Sequence, residues 1–217
     1  MQKTIRKIQC KCGHLQGSVS SAAGVTRLSC YCRDCQAYAH ALGNAERVLD
    51  ELGGTNVVTT LQQHLSFTKG AESLACHSLS EQGLLRWYAN CCNTPIGNTA
   101  RDPKLSFVAL VHNCLGESVA TLDTEFGATR VHTNTKHAKG KVASSAMSVL
   151  FSTTRIIASV LRARANGTWK HSPFFQPGSF KPVATPRVLS AEERERAFKA
   201  VQTKSNKMEV PLGLSGR

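Results

Sequence analysis

The sequence predicts an α+β protein: a mainly β first part of short antiparallel sheets built around zinc sites, followed by a helical extension. Three observations predict this. Up to His112 the chain holds many short runs rich in Val, Leu, Phe, Trp and Thr, separated by turn signals at Lys69-Gly70 and Gln82-Gly83. Runs of this kind at this spacing make a compact, mostly antiparallel β domain. All nine cysteines lie at or before Cys114, most of them in clusters. Beyond residue 120 the pattern changes to polar loop and helical periodicity.

Taken in order, Thr4–Gln9 is β-compatible and leads into Cys10-Lys11-Cys12-Gly13, with Gly13 a turn candidate. Leu15–Val19 reads as a short strand, and Val25–Ser29 as a third that delivers the chain to Cys30. Gln36–Gly43 has the look of a short helix stopped by glycine. After a turn at Gly53-Gly54 come strand-like runs at Asn56–Leu61, His64–Thr68, Ser73–His77, Leu84–Tyr88 and Leu105–His112.

Residues 121–140 read as a polar loop. Lys141–Arg164 reads as a long amphipathic helix. Lys141, Ser145, Ser148, Ser152, Arg155, Ser159 and Arg162 form a stripe at helical period, read most simply as the solvent-facing side. Val142, Ala146, Val149, Leu150, Ile157, Val160 and Leu161 form the apolar side. Arg155 interrupts the helix, which argues against a transmembrane span. Ser172–Gly178 is an irregular segment anchored by Phe174 and Phe175. Ser190-Ala191-Glu192-Glu193 is a capping-box signature for a last helix to about Ala200, with a disordered tail expected from Thr203. The chain thus divides into residues 1–120, a zinc-binding β domain, and 121–217, a basic helical extension.

The formal net charge is +13 and uneven. Residues 1–120 hold 11 Lys and Arg against 8 Asp and Glu; residues 121–217 hold 16 against 6. Such an excess favours anionic partners without choosing among nucleic acid, acidic lipid and carboxylate-bearing small molecules. The N-terminal residues are polar with no apolar stretch of the signal-peptide kind, so a cytoplasmic protein with reduced thiols is expected. In that compartment clustered cysteines bind metal or react more often than they form disulfides.

Cys30-Tyr31-Cys32-Arg33-Asp34-Cys35 is the densest cluster. In an extended strand residues i and i+2 face one side, so Cys30 and Cys32 point together; a C-x-x-C turn then brings Cys35 to the same ion. Three sulfurs without an obvious fourth fit a zinc site with a position left free for chemistry. A second, closed site joins Cys10 and Cys12 to the Cys91-Cys92 region, and its binding energy would be folding energy. Adjacent cysteines point apart on an extended backbone, so Cys91 and Cys92 can share an ion only in a turned one; Asn93-Thr94-Pro95 suits such a turn. Cys76 and Cys114 read as buried apolar residues. His132 and His137 read as solvated loop residues, and His14 as a surface residue beside Cys12.

At these motifs the sequence resembles the glutathione-dependent formaldehyde-activating enzyme and centromere protein V family. The resemblance rests on Cys10-Lys11-Cys12-Gly13, on Cys30 to Cys35, on Arg86 to Pro95, and on the turn Ser80-Glu81-Gln82-Gly83, and covers roughly residues 5–112. It implies a β-tent fold with two zinc sites: a structural one held by the first and third motifs, and a catalytic one at Cys30, Cys32 and Cys35. It further implies a carbon–sulfur lyase that condenses glutathione with formaldehyde or another small aldehyde. This chain departs from the family's C-x-x-C at Ala89, where the first cysteine would fall. Either Cys91 and Cys92 both ligate through a bent backbone, or three cysteines act with another group, or the site is empty.

Two functional classes follow. The first is a zinc enzyme acting on a thiol or thiol adduct, with Arg33 and Arg86 as candidate basic residues for a glutathione carboxylate. The second is a non-catalytic zinc-stabilised module that uses its basic C-terminal part on an anionic partner such as nucleic acid, with a dimer through residues 141–164 left open.

Overall fold

A computed structural model describes residues 5–20, 26–116, 122–123, 126–129 and 131–206. The fold is α+β. Eleven strands are assigned among the described residues: β1 (Ile5–Gln9), β2 (Gln16–Ser20), β3 (Thr26–Cys30), β4 (Thr55–Leu61), β5 (Leu65–Lys69), β6 (Leu74–Ser78), β7 (Leu85–Ala89), β8 (Thr94–Thr99), β9 (Phe107–Val111), β10 (Val131–Thr133) and β11 (Arg187–Val188). The helices are α1 (Arg33–Ala41), α2 (Ala45–Val48), α3 (Ala146–Ala165) and α4 (Ala191–Asn206).

The strands form two sheets. One has the order β1-β2-β5; the other runs β10-β3-β4-β9-β8-β7-β6-β11. Pairing is antiparallel except at the two edges of the large sheet, where β10 lies parallel to β3 and β11 parallel to β6. Both edge strands come from beyond residue 120, so the chain's second part completes the sheet built by its first.

The main core lies between the sheets. Alternation puts Ile8, Val19 and Leu65 of the small sheet against Val58, Leu85, Trp87, Ile96, Val108 and Leu110 of the large one. Trp87 is fully buried, donates Nε1–H to Thr99 Oγ1 at 2.9 Å, and packs its ring 5.1 Å from Phe174 and 6.4 Å from Phe175. The aromatic anchors of the irregular segment thus sit in the core itself. A smaller cluster sets Tyr38 and Leu42 of α1 against Leu79 and Leu189. Helix α4 packs through Ala197 and Val201 on Ala37.

Local sequence explains most element ends. The capping box at Ser190 is complete: its hydroxyl accepts from Glu193 N–H at 3.2 Å, and Glu193 Oε2 accepts from Ser190 N–H at 2.9 Å. The last helix runs past Ala200 to Asn206; the tail beyond residue 206 lies outside the described residues. Strand β8 was not expected, since Pro95 and Gly97 disfavour a strand. It is nonetheless central, with all six residues buried. A Cβ on Gly97 would lie 3.1 Å from Ala109 O, so glycine is what lets β9 approach.

The long helix departs in part from the expected orientation: Val160 is buried and Arg155 and Arg162 are exposed as expected, but Ser152 of the polar stripe is buried and Leu150, Ile157 and Leu161 of the apolar side are exposed. Ser152, Val160 and Ala163 are its buried residues, whereas Met147, Leu150, Phe151, Ile157 and Leu161 are exposed. Small Ser and Ala side chains let the helix lie close to β10 and β4. The bulky apolar stripe faces outward.

Candidate metal centre

Two thiol clusters are assembled from the chain ends of strands. In each, all ligand atoms lie within 4.8 Å of one another: Cys10, Cys12, Cys91 and Cys92 in one, Cys30, Cys32 and Cys35 in the other. A tetrahedral zinc–thiolate site, with Zn–S of ~2.3 Å, has sulfurs about 3.8 Å apart. The separations here are 3.5 Å for Cys10–Cys12, 3.8 Å for Cys10–Cys91, 3.4 Å for Cys12–Cys91, 3.8 Å for Cys91–Cys92 and 3.9 Å for Cys30–Cys35. The donor sets therefore fit one metal ion each.

The first cluster is made by two tight turns facing each other. Beyond β1, Gly13 adopts φ +75, which closes the loop through a Gly13 N–H to Cys10 O bond of 2.9 Å. Across from it, Cys92 N–H bonds Ala89 O at 3.3 Å and Asn93 takes φ 53, so the chain between β7 and β8 curls. That curl turns Cys91 and Cys92 to the same side. The chain thus adopts the bent-backbone arrangement, and Ala89 is an ordinary strand residue in the core. Leu15 N–H points at Cys10 Sγ at 3.2 Å, and Thr94 Oγ1 lies 3.1 Å from Cys92 Sγ while accepting from Lys11 N–H at 3.0 Å. Burial pushes the Cys10 and Cys91 thiols up. Burial also opposes ionisation of Cys92, yet the Thr94 hydroxyl and nearby N–H groups bring it down to about 6.

The second cluster sits where β3 meets α1. Cys30 ends β3, paired to Thr55 of β4 on one side and Thr133 of β10 on the other. Cys32 is the N-cap of α1, its Sγ accepting from Cys35 N–H at 3.3 Å. Helix α1 therefore begins at the cluster, earlier than the sequence suggested. Its N-terminal N–H groups and dipole favour thiolate there. Hydrogen bonds from Cys32 and Cys35 push the Cys30 thiol far down, and the same contacts push Cys35 well up.

Arg86 lies beneath this trio. Its side chain is 3 % exposed, with Nη1 3.9 Å from Cys35 Sγ and 3.4 Å from Asn98 Oδ1, and its guanidinium 5.1 Å from the centre of the Tyr38 ring. None of the ion pairs among the described residues gives it a carboxylate. A buried guanidinium requires a counter-charge. Three thiolates around a dication would carry one net negative charge, which Arg86 is placed to balance. Arg33, the other basic candidate, instead stacks over Phe198 of α4 at 5.6 Å.

Several contributors escaped the sequence reading. Asn134 Nδ2 reaches Cys30 Sγ at 3.5 Å across 104 residues of chain. Gln36, buried at 1 % exposure, donates to Tyr31 O at 2.9 Å and His137 O at 3.0 Å, tying α1 to both neighbours of the cluster. No spacing signal could have found either. Of the histidines, His14 pairs with Glu72 at 3.0 Å, and His132 stacks on Tyr31 with ring centres 6.1 Å apart; neither belongs to a thiol cluster. Cys76 and Cys114 are buried at 3 % and 2 % exposure, as read from the sequence. A cleft of about 830 Å³ opens beside Cys10 and Cys92, lined by Lys7, Lys11, Arg47 and His112, whereas the void behind Cys35 is only about 10 Å³.

These features define a cysteine-rich α+β protein with two metal-sized thiol sites, one closed by four sulfurs and one left with three. Residues 1–186 match DUF6151, a family of unknown function, and the chain belongs to that family. A crystal structure of a Rhodobacter sphaeroides protein is similar over 54% of this chain and 94% of its own, at 19% identity and a TM-score of 0.36. No curated protein matches the chain.

Proposed function

We propose that this protein binds two zinc ions and uses the three-cysteine site on a small thiol, in the manner of carbon–sulfur lyases that join glutathione, or a similar thiol, to formaldehyde or another small aldehyde. The observation that carries the reading is Arg86: a buried cation 3.9 Å from Cys35 Sγ, with no carboxylate partner among the described residues. Such a cation is costly beside three neutral thiols and is neutralised beside three thiolates on one dication. Thiolate-only donor sets favour zinc over magnesium or calcium. The motif resemblance described above supports the lyase class, and the cytoplasmic location expected from the sequence supplies reduced thiols.

In this reading Cys10, Cys12, Cys91 and Cys92 hold the structural ion, leaving no position for substrate. Cys30, Cys32 and Cys35 hold the second, and zinc there supplies a coordination position for an incoming sulfur or oxygen and Lewis acidity toward a carbonyl. The protein's own part is positioning. Cys35 N–H orients the Cys32 sulfur, Asn134 orients the Cys30 sulfur, and Arg86 holds the charge of the set near zero.

Metal analysis of the purified chain tests the first half: two zinc ions per chain are expected, and none would overturn the reading. Turnover of glutathione with formaldehyde tests the second. The native chain should be active and Cys32→Ser inactive with its structural ion retained. Two bound ions without turnover of any small thiol and aldehyde would leave a zinc-stabilised protein and remove the enzyme.

A further inference from the structure

Helix α3 carries bulky apolar side chains on its solvent side. Met147, Leu150, Phe151, Ile157 and Leu161 are 72%, 59%, 67%, 51% and 59% exposed. With 3.6 residues per turn they fall in one stripe about 120° wide. An apolar stripe of this length on the surface marks contact with something else. The opposite face, Ser152, Val160 and Ala163, is packed on the body of the protein.

Charge says what covers the stripe. From Gly127 to Ala191 the sequence contains no Asp or Glu, but ten Lys and Arg. On the helix, Arg155 and Arg162 border the stripe on one side and Arg164 on the other. We propose that α3 is a membrane-surface helix, lying flat on a bilayer rich in anionic phospholipid. Its apolar stripe enters the boundary between headgroups and acyl chains, and the flanking arginines reach up to phosphate. The helix is 20 residues long, the size of a spanning segment, and an 18-residue window of it has a mean hydropathy of 1.2. It lies on the bilayer rather than crossing it, because its inner face is committed to the protein and Arg155 sits at its middle. A second copy is a poorer occupant. Apposing two such stripes would gather six arginines at one interface, three from each helix, with no carboxylate on either. The proposal stands independently of the zinc reading.

Vesicle flotation with the full chain tests it, comparing phosphatidylcholine alone with equimolar phosphatidylcholine and phosphatidylglycerol. Leu150→Ser/Phe151→Ser/Leu161→Ser and Arg155→Gln/Arg162→Gln/Arg164→Gln alter exposed positions only, and unchanged metal content and circular dichroism report that both remain folded. The native chain should float with the anionic vesicles and release as salt rises. The apolar variant should bind at least about tenfold more weakly. The arginine variant should lose about fivefold per charge removed. Failure to float with anionic vesicles would overturn the proposal, as would undiminished binding by the apolar variant. So would a native dimer in sedimentation that the apolar variant splits, which would make a second copy the occupant. Duplex DNA binding that displaces the protein from vesicles, lost only in the arginine variant, would make nucleic acid the partner.

Discussion

The two thiol clusters use the same donor atom for opposite ends. The four-cysteine cluster ties together segments about 80 residues apart, and each of its sulfurs comes from a turn flanking a strand. Its direct hydrogen-bonding neighbours are N–H groups and one hydroxyl, and Lys7, Lys11 and Arg47 line the cleft beside it. The three-cysteine cluster comes from six consecutive residues at the mouth of a helix, and its neighbour is a buried cation. The difference teaches that one donor atom is used in two settings. Sulfurs drawn from distant turns make a set of four, enough to complete a tetrahedral ion without another group. Sulfurs drawn from one short segment make a set of three, and on the reading proposed above Arg86 would balance its charge from behind and leave the fourth position to substrate.

The strongest way to break this contrast is to remove the tie. Cys10→Ser with Cys91→Ser should lower bound metal from two ions to one. It should also cost several kcal/mol of stability, out of the ~10 kcal/mol or more that a structural zinc site can contribute. Thermal unfolding with and without chelator checks it: the variant should melt where the chelated native protein does, or close to it. Next in size is Arg86→Met, which deletes the counter-charge and keeps the apolar stem. Metal affinity at the trio should fall about 10- to 100-fold, with the other site unchanged, as read by competition with a chromophoric chelator. A loss of both ions would mean that Arg86 supports the fold rather than the site.

Asn134→Ala removes one weak donor to Cys30 at the open side. A fall of a few fold in trio affinity is expected, with stability within about 0.5 kcal/mol of native. The smallest effect concerns pH. Burial holds His112, beside the four-cysteine cleft, below its ordinary value of about 6.5. The unfolded chain therefore takes up this proton first on acidification. The stability is fully present above about pH 6.5 and is lost as the pH falls from there toward the folded value, by at most about 1.4 kcal/mol per pH unit. Denaturation of metal-free protein between about pH 7.5 and 5.5 should show this contribution beside those of Cys92 and His77, and His112→Gln should make the slope smaller.

Much of the site was legible because it is local. The C-x-C and C-x-x-C spacings encode strand faces and turns, and they nominate Cys10 with Cys12 and Cys30, Cys32 and Cys35; the adjacent Cys91 and Cys92 join the first pair through the curl between β7 and β8. The early strands were legible from alternation to within a residue or two. Strand β8 was not, because its composition is wrong for a strand and only its central position, buried on every side, overrides that. Strands β10 and β11 are three and two residues long and exist only as edges of a sheet already formed. The face of α3 was misread for a different reason. Helical periodicity separates polar from apolar residues, but it does not say which set meets the protein. Here Ser152 and Ala163 share the inner face with Val160, and Met147, Leu150, Phe151, Ile157 and Leu161 face away.

The two tryptophans divide the molecule optically. Trp87 is sealed in the core against Phe174 and Phe175, while Trp169, just past the end of α3, is half-buried against Phe180 at 4.8 Å with Lys104 Nζ 6.0 Å from its ring. Emission from the first is expected to be blue-shifted and hidden from collisional quenchers until the sheets separate. Emission from the second is expected to respond to changes around Phe180 and Lys104. A single native sample therefore carries two built-in reporters, one for the integrity of the fold and one for events at its surface, and exchanging either for phenylalanine reads the other alone.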